Sequence, residues 1–172
     1  MRKTGWLLLV LLVAAAALIA GCDGGDNGNG GTFDATAWDG TWTGQWVNQT
    51  FNSTGAAEFV IQTDLVDQEV DVQADLDGAV FGRADPDPIN MHVQYTDSGI
   101  DATVDGTNLG DLSFTIGPNG NMQGSFTNVP NAAIDTVTFT GQRSGNTITI
   151  NYTVNFAGGG NPAHGVVTVT RQ

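Results

Sequence analysis

The chain is poor in cysteine and in positively charged residues. Cys22 is the only cysteine among 172 residues, which excludes an intramolecular disulfide. Arg83, Arg143 and Arg171 are the only basic residues after Cys22, whereas all 18 acidic residues follow it. With three positive and 18 negative charges, this part of the chain has a formal net charge of −15. Nucleic acid is excluded as a partner, because binding to phosphates requires clustered Lys and Arg.

Sequence motifs for catalysis are also missing. The chain has no G-x-S-x-G sequence and no H-x-x-x-H pair, which are typical of hydrolases and zinc enzymes. Its two histidines, His92 and His164, are far apart in sequence, and alternation with Met91 and Val93 places His92 on an outward face. We therefore predict that the protein is not an enzyme.

Two carboxylates lie close together in the sequence Asp85-Pro86-Asp87-Pro88. The prolines predict a rigid, extended loop that holds Asp85 and Asp87 outward. Carboxylate oxygens suit Ca²⁺, so a calcium site in this loop is one interpretation. Catalysis by two carboxylates that face each other across a sugar is less favoured, and no other cofactor is predicted.

The chain begins with a pattern that is typical of exported proteins. Arg2 and Lys3 precede an apolar run of 15 residues, 6–20, and small residues follow. This order is that of a secretory signal peptide. The run is shorter than the roughly 20 apolar residues of a membrane-spanning helix. We assign residues 1–21 to a signal peptide that is removed.

The sequence Leu-Ile-Ala-Gly-Cys at 18–22 follows this run directly and resembles the lipobox of bacterial lipoproteins. The resemblance implies cleavage before Cys22 and acylation of Cys22 with fatty acids such as palmitate. It also implies a location in the bacterial cell envelope, with the domain outside the cytoplasm and anchored to the inner or outer membrane. More than one acyl chain makes such an anchor stable.

Residues 23–32, DGGDNGNGGT, have almost no apolar side chain, and they predict a flexible tether. The domain organisation is therefore a lipidated Cys22 with its tether at 22–32 and a single domain at 33–172. The chain beyond the tether is long enough for one hydrophobic core.

Beyond residue 32 the apolar side chains repeat at every second position, and turn residues recur about every ten positions. The clearest segment is 69–76, with Val, Val, Ala and Leu at its inward positions. About ten such segments predict an all-β fold, an antiparallel up-and-down meander barrel of about 8 to 10 strands. A two-sheet β-sandwich is the alternative.

Short turns between these segments predict hairpins of neighbouring strands. Asp77-Gly78 is one such turn. The longer connections, 84–89 and 127–134, contain prolines and are the places where the strand order could depart from a simple meander.

Gly40-Thr41-Trp42, at the start of the first predicted strand, resembles the Gly-x-Trp motif of calycins, the lipocalin and avidin type of meander barrel. In that family the tryptophan closes one end of the barrel, and a basic residue of the last strand packs over it. The resemblance therefore assigns barrel closure to Gly40, Trp42 and Arg171. Trp46 lies four residues further along the same face, where it is predicted to reach the middle of the interior. Gly44 between the tryptophans indicates either a bend or a space for another ring.

Large side chains at inward positions are candidates for lining a ligand site. They are Trp46, Phe59, Met91, Tyr95, Phe114, Phe126, Phe139 and Tyr152. Our first hypothesis is that a membrane-anchored barrel binds a small apolar or amphipathic ligand between them. In a second, they fill the core completely and the domain is a non-enzymatic structural or interaction domain of the envelope. In a third, a β-sandwich binds carbohydrate through Trp38 and the aspartate loops.

Overall fold

The computed structural model describes residues 31–172. The predicted signal peptide, the predicted acylation site Cys22 and residues 23–30 of the predicted tether lie outside the described residues. Within 31–172, no helix has the length and apolar character that crossing a bilayer requires.

The described chain consists of one short 3₁₀ helix and twelve strands. The 3₁₀ helix is Ala35–Trp38, and the strands are β1 Gly40–Asn48, β2 Ser53–Asp64, β3 Glu69–Leu76, β4 Ala79–Val80, β5 Arg83–Ala84, β6 Ile89–Thr96, β7 Gly99–Thr107, β8 Gly110–Ile116, β9 Asn121–Thr127, β10 Ile134–Ser144, β11 Thr147–Phe156 and β12 Ala163–Arg171. Ten strands pair antiparallel in chain order, and β12 pairs back with β1 to close a barrel. The predicted all-β meander barrel is confirmed with ten strands, and the sandwich alternative is wrong.

Alternation along each strand places the apolar side chains inside the barrel. Trp42 and Val169 are completely buried, and Val137 and Ile148 are nearly so. No polar or charged residue is buried in the described part of the chain. Closure of the sheet pairs the backbone groups that open edges would leave unpaired.

The connection between β3 and β6 differs from the sequence-based prediction. Asp77-Gly78 does not join two barrel strands but leads into a separate hairpin formed by β4 and β5. The turn of this hairpin is Phe81-Gly82, and both residues have positive φ, 50° and 83°. Two-residue hairpin turns of this kind match the twist of their strands. Neither long connection, 84–89 or 127–134, changes the strand order of the barrel.

The barrel wall is weakest between β6 and β7. Only two residue pairs join these strands, Tyr95 with Ile100 and Thr96 with Gly99, and both lie next to the connecting turn. By comparison, β1 and β2 pair along the whole length from Gly40 to Asn48. The strands β6 and β7 are therefore held together at one end of the barrel only.

Candidate ligand-binding cavity

One end of the barrel is closed by Trp42 and Arg171, which are direct partners across β1 and β12. The Arg171 guanidinium lies over the Trp42 ring, with its Cζ 4.5 Å from the ring centroid. A cation–π contact of this kind contributes roughly 0.5–2 kcal/mol. Gly40, with φ 119°, lies beside the Arg171 side chain in a backbone conformation that favours glycine.

The 3₁₀ helix is held across this closed end by its last carbonyl groups. Trp42 Nε1 donates to the carbonyl of Trp38 at 2.8 Å, and Arg171 Nη2 donates to the carbonyl of Ala37. The helix begins at the cap residue Asp34, whose carboxylate accepts from the Thr36 hydroxyl at 2.7 Å. The hydrogen bond from Thr36 lowers the pKa of Asp34. Trp38, the last residue of this helix, is buried.

A second arginine stacks on a second indole at the same end. The Arg143 Cζ lies 5.2 Å from the centroid of the Trp38 ring, and its Nη1 donates to the carbonyl of Gly145 at 3.1 Å. Sequence analysis missed this role of Arg143. Arg143 lies near the end of β10, as Arg171 lies at the end of β12, and both strands run towards the closed end. This shared position is the signal in the sequence that could have indicated the role of Arg143. Trp38 and Trp42, each with an arginine stacked on its indole, therefore form the floor of the barrel.

Above this floor the barrel is hollow. A cavity of about 470 Å³ is lined by side chains from all ten barrel strands. Seven of the eight predicted lining residues contact it: Trp46, Phe59, Met91, Phe114, Phe126, Phe139 and Tyr152. Tyr95 does not line the cavity but packs against Phe33 near the closed end, with ring centroids 6.0 Å apart. A cavity of this size means that the side chains do not fill the interior.

Glycines let large side chains lie flat against the wall. The Trp46 indole covers Gly55 and approaches Gly78, and its Nε1 donates to the carbonyl of Asp77 at 2.7 Å. Asp77 follows the end of β3 at the open end of the barrel, so Trp46 lies towards that end. The sequence had predicted a position in the middle of the interior. A Cβ on Gly44 would meet the backbone carbonyl of Thr168, so Gly44 permits close packing of β12 and leaves no space for a ring.

The cavity wall is apolar apart from a few neutral groups. No charged side chain among residues 31–172 lines it, and its polar lining residues are Asn48, Ser53, Asn131 and Tyr152. Burial raises the pKa of Tyr152 to about 12, so its hydroxyl is neutral at physiological pH. That half-buried hydroxyl has no hydrogen-bond partner in the described chain, and desolvation alone accounts for the raised pKa.

The mouth of the cavity is partly covered by the tip of the β4–β5 hairpin. Phe81 lines the cavity and packs edge-on against Phe126 and Tyr152, with ring centroids 5.9 and 6.4 Å apart. The Asn131 side chain donates to the carbonyl of Phe81 at 3.0 Å. A phenylalanine with positive φ is strained, and such strain is typical of functional positions. Sequence analysis missed Phe81, although an aromatic residue before Gly82 in a polar loop was an available signal.

The loop predicted to bind calcium, 85–88, is hydrogen-bonded to the base of this hairpin. The Asp85 carboxylate accepts from the backbone N–H of Gly78 at 2.6 Å, and the carbonyl of Asp87 accepts from the Asn108 side chain. Arg83 Nη1 donates to the carbonyl of Asn108 at 2.8 Å. Within 31–172, no three His, Cys, Asp or Glu side chains come together as metal ligands.

The two histidines lie on the outer surface of different strands. His92 on β6 faces outward, where its Nδ1 lies 2.6 Å from the Asp71 carboxylate and its Nε2 lies 2.9 Å from Glu69. The Asp71 hydrogen bond, followed by the charge of Glu69, raises the pKa of His92. His164 on β12 contacts the hydroxyl of Thr153. Neither histidine lines the cavity.

Comparison with known proteins identifies relatives in fold only. No protein-family model matches the sequence, and no curated protein matches it either. Among solved structures, a protein of unknown function from the DUF3598 family of Nostoc punctiforme superposes with a TM-score of 0.54 at 16% identity, over 83% of this chain and 50% of its own. The chain therefore spans half the length of the Nostoc protein.

Two further structures are similar. Rv2717c from M. tuberculosis has a TM-score of 0.52 at 10% identity, over 80% of this chain and 94% of its own. Secretory abundant heat soluble protein 4 from Ramazzottius varieornatus has a TM-score of 0.45 at 11% identity, over 79% of this chain and 95% of its own. The ten-stranded antiparallel barrel and its likeness to the Nostoc protein fit a calycin-like fold.

Proposed function

We propose that this protein is a non-enzymatic binding protein that holds a small apolar or amphipathic molecule inside its barrel. The observation that carries the proposal is the apolar cavity of about 470 Å³. Pockets for small molecules typically have volumes of roughly 300–1,000 Å³ and predominantly apolar walls. An apolar ligand would restore the packing contacts that the hollow interior lacks.

The chemistry of the wall supports binding without catalysis. Tyr152 is the only titratable residue of the described chain that lines the cavity. With a pKa of about 12 it is poorly suited to general acid or base catalysis near neutral pH. The proposal therefore assigns the cavity to storage, transport or presentation of a ligand.

The two rival hypotheses have less support. A filled structural core is disfavoured by the cavity. A carbohydrate module of the predicted kind would present exposed indoles, but Trp38, Trp42 and Trp46 are 5%, 0% and 5% exposed. The remaining tryptophan, Trp6, falls in the predicted signal peptide.

Ligand binding is tested with the uncharged fluorescent probe N-phenyl-1-naphthylamine and two variants of adjacent residues on β3. Ala74 lines the cavity, whereas Gln73 is exposed on the outer face and donates to Asn90. We expect Ala74→Phe to fill part of the cavity and weaken probe binding at least about tenfold, because the ring occupies the ligand volume. Gln73→Phe adds the same ring outside and should bind like the wild type.

Circular dichroism and thermal unfolding establish that each variant is folded. If Ala74→Phe does not fold, Ala74→Leu provides a smaller filling side chain for the same comparison. The proposal is wrong if the wild-type protein does not bind the probe, or if the folded Ala74 variants bind it as well as the Gln73 variant does.

We also propose that the barrel is anchored to the envelope membrane through acylated Cys22. The chain joins the barrel at its closed end, where the Phe33 N–H donates to the carbonyl of Asp97 at 2.8 Å. The predicted tether of ten residues would reach about 15–20 Å, so the closed end of the barrel would lie nearer the bilayer than the cavity mouth. Cys22→Ser should move the protein from the membrane fraction to the soluble fraction and remove the acyl mass. Retention of the variant in membranes would contradict the anchor.

A further inference from the structure

We propose that the ligand is uncharged and amphipathic, with a hydroxyl or carbonyl group that hydrogen-bonds to Tyr152 near the mouth and an apolar part that extends towards the tryptophan floor. This inference rests on the proposed binding function and specifies the chemical class of the ligand. It follows from the distribution of polar groups along the cavity, the surroundings of Tyr152 and the positions of the arginines.

The polar lining residues are concentrated in the half of the cavity near the mouth. Asn48 ends β1 and Ser53 begins β2, so both lie at the open rim. Asn131 lies in the loop that precedes β10 at the same rim. The floor, in contrast, is lined by apolar residues such as Phe33 and by the Trp38 indole. A molecule that matches the polar half of the cavity near the mouth and the apolar half near the floor has a neutral polar end and an apolar end.

Tyr152 contributes a phenol hydroxyl to the cavity wall. It pairs across the strands with Gly165, and its ring and hydroxyl lie directly over that glycine, where a Cβ would collide with them. Phe81 packs against the ring from the hairpin above. These contacts fix the ring from below and from above, so the position of the hydroxyl is set before a ligand arrives.

The Tyr152 hydroxyl has no hydrogen-bond partner in the described chain, and the ring is half-buried. A ligand hydroxyl or carbonyl would supply the hydrogen-bond partner that the protein itself does not. A phenol both donates and accepts, so it can bind either group. Trp46 cannot take this role, because its N–H is already bonded to the carbonyl of Asp77.

The arginines do not favour an anionic ligand. Arg143 and Arg171 lie beyond the floor, stacked on Trp38 and Trp42, and Arg83 donates to a backbone carbonyl of the β7–β8 turn. None of the three lines the cavity. An ionised carboxylate that entered this wall would lose its hydration without gaining a cation, and the negative charge of the domain would oppose its approach.

The test compares three ligands of equal chain length, decane, 1-decanol and decanoate, by displacement of N-phenyl-1-naphthylamine at pH 8. Wild type, Tyr152→Phe and Tyr95→Phe are measured. Tyr95 is the only other tyrosine in the chain and does not line the cavity, so it is the matched control. We expect wild type to bind decanol at least about tenfold more tightly than decanoate. Tyr152→Phe should weaken decanol binding roughly 2- to 12-fold and leave decane binding unchanged, and Tyr95→Phe should change neither.

The failure of this inference can be distinguished from failure of the binding function. If decane and the probe bind but decanoate binds as tightly as decanol, or if Tyr152→Phe binds decanol normally, the ligand class is wrong and the cavity still binds lipophiles. If neither the probe nor any of the three compounds binds, both proposals are wrong.

Discussion

The three arginines of the domain provide a graded test of how the barrel end is closed. Each donates one hydrogen bond to a backbone carbonyl, and none is paired with a carboxylate within 31–172. Arg171 stacks on the fully buried Trp42 and bonds to the part-buried carbonyl of Ala37. Arg143 stacks on a second indole but bonds to an exposed carbonyl, and Arg83 is exposed and has no stack.

Replacement by methionine retains an unbranched apolar stem and removes the guanidinium. For Arg171→Met, the cation–π contact is lost, roughly 0.5–2 kcal/mol. The carbonyl of Ala37 also loses its donor, which costs about 1–3 kcal/mol. The expected destabilisation is therefore roughly 1.5–5 kcal/mol. Arg143→Met loses mainly the stack, about 0.5–1 kcal/mol, and Arg83→Met should cost about 0.5 kcal/mol or less because its hydrogen bond is exposed to water.

The free energy of unfolding is measured by urea denaturation and followed by tryptophan fluorescence, with the m-value checked for constancy. For a domain of this size, about 1 kcal/mol corresponds to roughly 3–4 °C in Tm, so Arg171→Met should unfold roughly 5–20 °C below the wild type. The expected order of destabilisation is Arg171, then Arg143, then Arg83. If Arg83→Met is as destabilising as Arg171→Met, closure of the barrel end does not depend on the Trp42 stack and this reasoning is refuted.

Two further predictions concern the wall and the outer surface of the barrel. Gly165→Ala should destabilise the domain by about 1–3 kcal/mol, because its Cβ would collide with an aromatic ring and a backbone carbonyl. Gly158→Ala is the control, because its Cβ would lie in open space. Equal midpoints of urea unfolding for the two variants would contradict the close packing at Gly165. Because Asp71 and Glu69 raise the pKa of His92, its contribution to stability should be present below pH 6.5 and lost as pH rises through the higher folded pKa. His92→Gln should remove this part of the pH dependence of unfolding, and an NMR titration of His92 with a pKa at or below 6.5 would contradict it.

The fold could be predicted from the sequence because apolar side chains alternate with polar ones along the long strands. The inward residues of 69–76 illustrate this, since their alternation alone identifies both the strand and its buried face. The β4–β5 hairpin could not be found in this way, because strands of two residues are too short to show a period. The turn at Asp77-Gly78 was therefore predicted to join neighbouring barrel strands.

The sequence predicted which residues of the candidate site face inward. It did not predict where along the barrel axis each of them lies. Trp46 and Tyr152 were identified because they face inward, and both line the cavity. Tyr95 also alternates inward but lies against Phe33 outside the cavity. Alternation indicates which face a residue occupies, whereas its position along the barrel axis depends on the stagger of all ten strands.

The sequence by itself determined that the protein is all-β, that its surface is strongly acidic and which face of each strand is apolar. Tertiary structure decided three things: that β1 meets β12 and places Trp42 under Arg171, that the barrel remains hollow, and that Phe81 partly covers its mouth. The physical reason is that these features depend on contacts between residues distant in the chain and on the volume that strand stagger encloses. The same aromatic and branched side chains either fill such a volume or line it, and only their packed arrangement distinguishes the two.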